Sequence, residues 1–223
     1  GQTGQQEIGL NYPYLARYSM STDVYKQYLM GQNGYMFYLT PAAYDPNIKW
    51  ETTTTYNAGI DFGFLNDRIS GSVDAYIRDT KDLLNRVLTP MGSNFGNTVL
   101  TNIGSMRNKG VEFSLNLIPV QTTDWSVMVG LNGTFQDTKF TKLNNTDDPD
   151  YSIQIGRISK GTGSLLQRHM VGYAPYTFYT FQQVYDSEGR PVQNALVDRD
   201  GDGTITEADR YMTGKSPNPD FFY

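Results

Sequence analysis

Trp50, Thr52, Thr54, Tyr56, Ala58, Ile60, Phe62 and Phe64 occupy even positions, and the odd positions between Trp50 and Phe64 hold Glu51, Thr53, Thr55, Asn57, Gly59, Asp61 and Gly63. Successive side chains of a β-strand point to opposite faces, so this period predicts a strand with one greasy face and one polar or small face. Three further segments follow the same rule. Ile69, Gly71, Val73, Ala75 and Ile77 alternate with Ser70, Ser72, Asp74, Tyr76 and Arg78; Val111, Phe113, Leu115 and Leu117 alternate with Glu112, Ser114 and Asn116. Trp125, Val127, Val129, Leu131, Gly133 and Phe135 alternate with Ser126, Met128, Gly130, Asn132 and Thr134. Over the four segments 19 of 23 positions on one face are apolar, against 2 of 20 on the other, a split that helical periodicity does not produce.

The connections are unequal. Leu65-Asn66-Asp67-Arg68 reads as a tight turn, since Asn and Asp tolerate turn dihedrals, and residues 119–124 form a second short turn. Segments two and three are separated by a stretch rich in Gly, Asn and Ser, about 80–109, read as a long loop. Short turns at one end, long loops at the other and strands of about ten residues or more fit a transmembrane β-barrel. A soluble β-sandwich gives the same alternation with its apolar face turned inward, and pattern alone does not separate the two.

Composition removes several functions. A net charge of −5 argues against nucleic acid, which needs clustered Lys and Arg. With no cysteine there is no disulfide scaffold, zinc–thiolate site or thiol nucleophile. No run approaches about 18 apolar residues, so no transmembrane helix is expected, which does not weigh against a barrel. Tyr (17 residues) and Gly (22) are frequent, as pleated surfaces and tight turns favour. Tyr12, Tyr14, Tyr18, Tyr25, Tyr28, Tyr35 and Tyr38 crowd the first part, where they serve either loop packing or a ligand.

Several of these residues form longer motifs. Asp45-Pro46-Asn47-Ile48-Lys49-Trp50-Glu51-Thr52-Thr53 resembles the NPxLKWExT signature that opens a barrel strand in SusC/RagA-type TonB-dependent outer-membrane receptors. Thr80-Lys81-Asp82-Leu83-Leu84, the run from Asn102 to Phe113, and Gly1-Gln2-Thr3-Gly4-Gln5 are similar to other stretches of that family, in its order. The resemblance implies an all-β fold: antiparallel strands from a large, roughly 22-stranded transmembrane outer-membrane barrel, incomplete in this chain. It implies transport and no enzyme activity: active import of oligosaccharides or peptides, with a SusD-like surface lipoprotein and TonB as partners, in the bacterial outer membrane. On this reading residues 1–49 hold a strand end and an extracellular loop, 50–138 hold four membrane strands, and 139–223 form a long extracellular region. Plug, TonB box, signal sequence and final strand are missing, and both ends look cut. Glu51, Asn57, Asp61, Asp74, Arg78, Glu112 and Asn116 are expected to face the lumen, and Trp50, Tyr56, Ile60, Phe62, Val73, Phe113, Leu115, Trp125, Val129 and Phe135 the lipid.

The sharpest local motif runs from Asp198 to Asp209 and fits an EF-hand calcium loop. Asp198, Asp200 and Asp202 supply carboxylates at positions one, three and five, Gly203 permits the sharp turn, Thr204 offers its carbonyl and Asp209 takes position twelve. Asp209 is shorter than the usual Glu and no clear helix precedes Asp198, so the expected role is a structural Ca2+ that pins a loop, the alternative being a solvated acidic turn. Tyr176, Tyr179 and Phe181 lie in an aromatic stretch that either stacks on cargo or packs between loops. Asp147, Asp148 and Asp150 are the carboxylates a glycoside hydrolase would use, but no apolar pocket flanks them. His169 is the only histidine and is expected to pack; Gly161-Thr162-Gly163 lacks the third glycine of a dinucleotide fingerprint.

Overall fold

The computed structural model describes residues 11–20, 27–29, 35–37, 39–89, 98–144, 148, 150–157 and 165–223. Regular structure among them is almost entirely β. A five-stranded sheet is built from β5 (Thr52–Phe64), β6 (Ile69–Leu88), β7 (Thr98–Gln121), β8 (Ser126–Lys142) and β15 (Phe221–Phe222), ordered β15-β8-β7-β6-β5. Sequential strands are neighbours except at β15, which pairs antiparallel with β8 through Phe221 opposite Phe135 and Phe222 opposite Thr134. β9 (Ser152–Arg157), β10 (Leu165–Met170), β11 (Thr177–Thr180) and β14 (Tyr211–Met212) form a second sheet, ordered β14-β11-β10-β9. Three two-stranded ribbons complete the set: β1 (Tyr18–Met20) with β4 (Leu39–Pro41), β2 (Gln27–Leu29) with β3 (Tyr35–Phe37), and β12 (Gln183–Tyr185) with β13 (Pro191–Leu196). The chain divides into two compact units, one from 1–54, 80–105 and 144–146, the other from 55–79, 106–143 and 147–223.

The turn at 65–68 forms as the sequence predicts. Leu65, Asn66 and Asp67 take φ of 56°, 57° and 61°, a left-handed run that Asn and Asp tolerate and that costs Leu65 strain. Arg68 ties this turn to the next strand, donating from its guanidinium to the carbonyls of Ile118 (3.2 Å) and Pro119 (3.0 Å). The second turn is tighter than 119–124: β7 continues to Gln121, and the Thr122 N–H donates to the Trp125 carbonyl at 2.7 Å.

The described residues of the stretch 80–109 are mostly strand rather than loop, and 90–97 lie outside the described residues. β6 runs on to Leu88 and β7 starts at Thr98, giving strands of 20 and 24 residues. A tilted crossing takes about 9–11 residues, so both extend well past one membrane thickness. The alternation fades there for two physical reasons. Asp82, at φ 60°, breaks the strict period of two within β6. Beyond it Asn102 and Asn108 hold strand positions through side-chain hydrogen bonds to neighbouring segments.

The interior is sparse. Among the described residues the buried apolar side chains are Ile103, Phe140 and Leu143. The face that alternation marks as greasy is open: Ile60 and Trp125 are each 72% exposed, and Val73, Val129, Leu131 and Phe135 are exposed as well. A sandwich would bury this face. Here it is an exposed apolar surface on one face of a sheet.

Glycines on the same strands serve as seats for neighbouring side chains. A Cβ on Gly71 would meet the Phe62 ring at 2.8 Å, one on Gly110 the Tyr76 ring and hydroxyl at 2.7–2.8 Å, and one on Gly133 the Phe113 ring at 2.4–2.6 Å. Each ring lies over a glycine of the next strand. The contact fills the space a side chain would take and sets the register.

Candidate functional site

The polar face of the long strands is tied together by side chains. In the second unit Ser72 and Ser114 share a hydroxyl–hydroxyl bond at 2.9 Å, and Asn108 Nδ2 donates to Gln136 Oε1 and to Thr138 Oγ1; the two-pronged Arg107–Asp79 ion pair (2.6 and 3.2 Å) falls on the opposite face, past its apolar run. Exposed polar atoms and apolar atoms are thus separated across one sheet, which suits a wall between water and hydrocarbon.

In the first unit three motifs converge. The Asn102 carboxamide accepts the Lys49 N–H (2.8 Å) and donates to the carbonyls of Lys49 (2.8 Å) and Asp82 (2.7 Å). The Lys49 ammonium pairs with the Asp82 carboxylate at 2.9 Å, and Thr101 donates to Asp45 at 2.5 Å. Glu51 is buried and accepts the Leu84 N–H at 3.0 Å, so its carboxylate is engaged in the wall rather than presented to a lumen. Sequence reasoning missed this clasp; the signal available was the cluster of Asn and Asp at strand positions where propensity disfavours them.

The acidic loop follows β13. Asp198 accepts the N–H groups of Gly201 (2.7 Å) and Gly203 (2.8 Å), Asp200 that of Asp202 (3.1 Å), and Asp202 that of Thr204 (2.7 Å). Gly201 and Gly203 have φ of 77° and 82°, which their residue type allows without strain. These turns bring one carboxylate oxygen from each of Asp198, Asp200 and Asp202 within 4.8 Å of one another. Asp209 sits differently. It is fully buried, its two oxygens accept the N–H groups of Arg199 and Thr206 at 2.7 Å each, and it closes a capping box on the 3-10 turn Glu207–Asp209. Those bonds hold the Asp209 carboxyl below the ordinary carboxylate range. For Asp200 the Asp202 N–H pulls the same way, but desolvation and the charges of Asp202 and Asp209 outweigh it and push the group up. The backbone carbonyl of Thr204 remains the oxygen its position in the loop would offer.

Tyr176, Tyr179 and Phe181 do not form one surface. Tyr179 stacks under the Arg168 guanidinium at 3.5 Å, and Phe181 lies 5.0 Å from that of Arg210. Tyr176, at φ 62°, is exposed and meets His169 edge-on at 4.9 Å. His169 packs against Phe140 as well, and burial pushes its imidazole down, toward the neutral form. Asp148 and Asp150 are exposed, with the Asp150 N–H donating to Asp148. Asp147, Gly161-Thr162-Gly163, Gly1 to Gln5, Tyr25 and Tyr38 lie outside the described residues.

Comparison with known proteins places these features. Residues 8–216 match the family described as TonB dependent receptor-like, beta-barrel. The chain is 47% identical over 218 residues to the TonB-dependent receptor SusC of Bacteroides thetaiotaomicron, covering 96% of this chain and 21% of that protein. It is 31% identical over 194 residues to TonB-dependent receptor P3 of Formosa agariphila, covering 82% and 19%. The fold matches the RagAB peptide transporter with a TM-score of 0.69 at 24% identity, over 99% of this chain and 23% of that one. The RagAB peptide importer in its 'closed-closed' state gives 0.67 at 25% identity, over the same shares. This chain therefore spans about a fifth of the relatives it matches. These relatives are receptors, not enzymes, and the chain belongs to the TonB-dependent receptor β-barrel family.

Proposed function

We propose that this chain is barrel wall of an outer-membrane, TonB-dependent importer of oligosaccharides or peptides that works with a SusD-like surface lipoprotein. The observation that carries this reading is the open apolar face of β5 to β8, opposite a face of bonded polar side chains. Its outward residues contact lipid and its polar residues line a lumen. Family membership supports transport, and the likeness to a peptide transporter supports a peptide or a molecule of similar size as cargo. The long strands carry the region after about 139 to the outer side of the membrane. The test is uptake by cells carrying the full-length receptor, with and without TonB, together with affinity purification from detergent-extracted outer membrane. TonB-dependent uptake and a co-purifying lipoprotein support the reading. A receptor that leaves membranes without detergent, or cells whose uptake ignores TonB, count against it.

A second reading concerns the loop Asp198 to Asp209. The converging oxygens of Asp198, Asp200 and Asp202, with the Thr204 carbonyl, favour a structural Ca2+, since that ion takes six to eight hard oxygens from such spacing. Asp209 secures the loop backbone and, through the second lone pair of an oxygen, is available to the ion.

A further inference from the structure

The apolar face of the wall changes chemistry at one level. On β6 its apolar run ends at Ile77 and Asp79 follows; on β7 it ends at Val111, next to Lys109 and Arg107; on β8 it ends at Phe135, before Asp137 and Lys139. These positions keep the parity of the apolar residues, so the charges share their face. Side-chain contacts hold the row level across three strands. Arg107 on β7 reaches Asp79 on β6 at 2.6 Å, Lys109 on β7 reaches Asp137 on β8 at 3.6 Å, and Lys139 reaches the same Asp137 at 3.2 Å. All three cationic side chains are more than half exposed.

Distance puts this row at a membrane border. Trp125 and Phe135 bound the apolar run of β8. They lie about 33 Å apart along a strand, or about 25 Å in height at a tilt of roughly 40°, which is the height of a barrel's apolar band. Asp137 and Lys139 begin where that band ends. On β5, Gly59 faces the Asp74 side chain, so counting back along the antiparallel pair sets Tyr56 level with Ile77. Tyr56 is exposed there, as aromatic residues at water–lipid borders are.

The row holds three cations and two carboxylates. Asp79 neutralises Arg107 through a two-pronged pair, while Lys109 and Lys139 share the single carboxylate of Asp137. Glu112 and Asp220 stand one residue out of phase with Val111 and Phe221, on the polar face. A lysine at this height lays its aliphatic stem along the apolar surface and holds its ammonium among headgroups. A second copy of the chain, related by a two-fold axis along the membrane normal, would set the row against itself, like charge on like. An anionic headgroup complements it instead.

We infer that Lys109 and Lys139, flanking Asp137 beyond Val111 and Phe135, bind the phosphoryl headgroup of an outer-leaflet lipid whose chains lie on the apolar face. This rests on the import reading, which puts this end of the strands outside.

The test uses the full-length receptor in detergent micelles titrated with phosphatidylglycerol or phosphatidylcholine, with native mass spectrometry counting the lipid retained. Expected is preferential retention of phosphatidylglycerol. Lys109→Gln and Lys139→Gln should each weaken it about fivefold, and the pair roughly 25-fold, as about 1 kcal/mol for each cation at an anionic headgroup implies. Lys109→Arg, which keeps the charge, and Arg157→Gln on β9, outside the row, should both retain the lipid as the parent does. Phosphatidylglycerol affinity within roughly twofold of the parent in the double Gln variant overturns the site. If that variant fails to assemble, the parent decides: about 0.5 M sodium chloride should release the lipid, and retention that ignores salt overturns the site. Equal retention of both lipids also overturns it, as does full displacement by inorganic phosphate, which would make it a site for a free anion. Receptor self-association that the double variant abolishes, without lipid preference, assigns the row to a second copy. Loss of the lipid site in a receptor that still needs detergent and still imports with TonB leaves the import reading standing, whereas a receptor soluble without detergent removes both.

Discussion

Asn102 brackets the Lys49 peptide unit, accepting its N–H and donating to its carbonyl at 2.8 Å each, while the same amide nitrogen reaches the Asp82 carbonyl at 2.7 Å. One side chain thus joins the segment that precedes β5 to the left-handed position at Asp82 in β6. A carboxamide suits this place because it carries a donor and an acceptor side by side, the pattern that a peptide edge needs. Lys49–Asp82 and Glu51–Leu84 contacts reinforce it.

Replacing Asn102 with Ala removes three hydrogen bonds, all to backbone groups, two of them on Lys49 just before β5. The expected cost is about 2–3 kcal/mol. Asn102→Asp should cost more, because a carboxylate would face two carbonyl oxygens without a donor between them. Thermal unfolding of the full-length receptor in detergent checks the order: parent most stable, then Ala, then Asp. Equal transitions for all three remove the clasp from the stability of the wall.

The facing of the strands makes a sharper prediction. Leu115 lies on the apolar face and Asn116, its neighbour, on the polar face. Leu115→Lys should destabilise the assembled barrel by roughly 2–4 kcal/mol if it sits near mid-membrane, whereas Asn116→Lys should leave assembly close to the parent. Heat-modifiable migration on gels reads this directly. Assembly that tolerates Leu115→Lys and fails with Asn116→Lys would reverse the assigned faces.

How much of this was written in the sequence depends on the residue. The four segments around Ile60, Val73, Phe113 and Val129 were legible because each keeps a period of two through the stretch about that residue. The 80–109 stretch was not, since Asp82 breaks the period and Asn102 and Asn108 spend their side chains on partners far along the chain, information that local propensity lacks. The Asp198 loop was legible from spacing alone for its first three carboxylates. Asp209 has a role that its position in the count did not suggest: it is buried and caps the loop by accepting the Arg199 and Thr206 N–H groups.

The ring-on-glycine contacts are testable as pairs. Gly133→Ala places a methyl where the Phe113 ring lies, an overpacking that costs about 1–3 kcal/mol. Trimming the ring with Phe113→Leu should cost stability alone but recover part of the loss when combined with Gly133→Ala. A double-mutant cycle measured by urea unfolding reads the coupling, which should exceed about 0.5 kcal/mol. Strict additivity would mean that the ring moves aside without consequence and that Gly133 is not its seat.

Asp200 and Asp209 are shifted in opposite directions, which predicts two steps for the acidic loop in acid. Asp200, whose carboxyl is pushed above the ordinary range, must lose its proton to hold a cation, so calcium affinity should fall as pH drops through that raised range. Asp209 behaves oppositely. Its folded pKa lies below its unfolded one, so its contribution to loop stability is complete above the ordinary unfolded carboxylate range and is lost only as pH falls through the lower folded value. Mild acid should therefore release calcium while the cap at Arg199 and Thr206 persists, and stronger acid should then free the loop. Calcium raises the thermal transition of the full-length receptor by mass action if it binds the folded loop, so the shift with added Ca2+ should be present at neutral pH, shrink in mild acid, and vanish in Asp200→Asn. A transition that ignores calcium at every pH, in a receptor first stripped with chelator, removes the ion from this loop and leaves Asp198, Asp200 and Asp202 as a hydrogen-bonded turn.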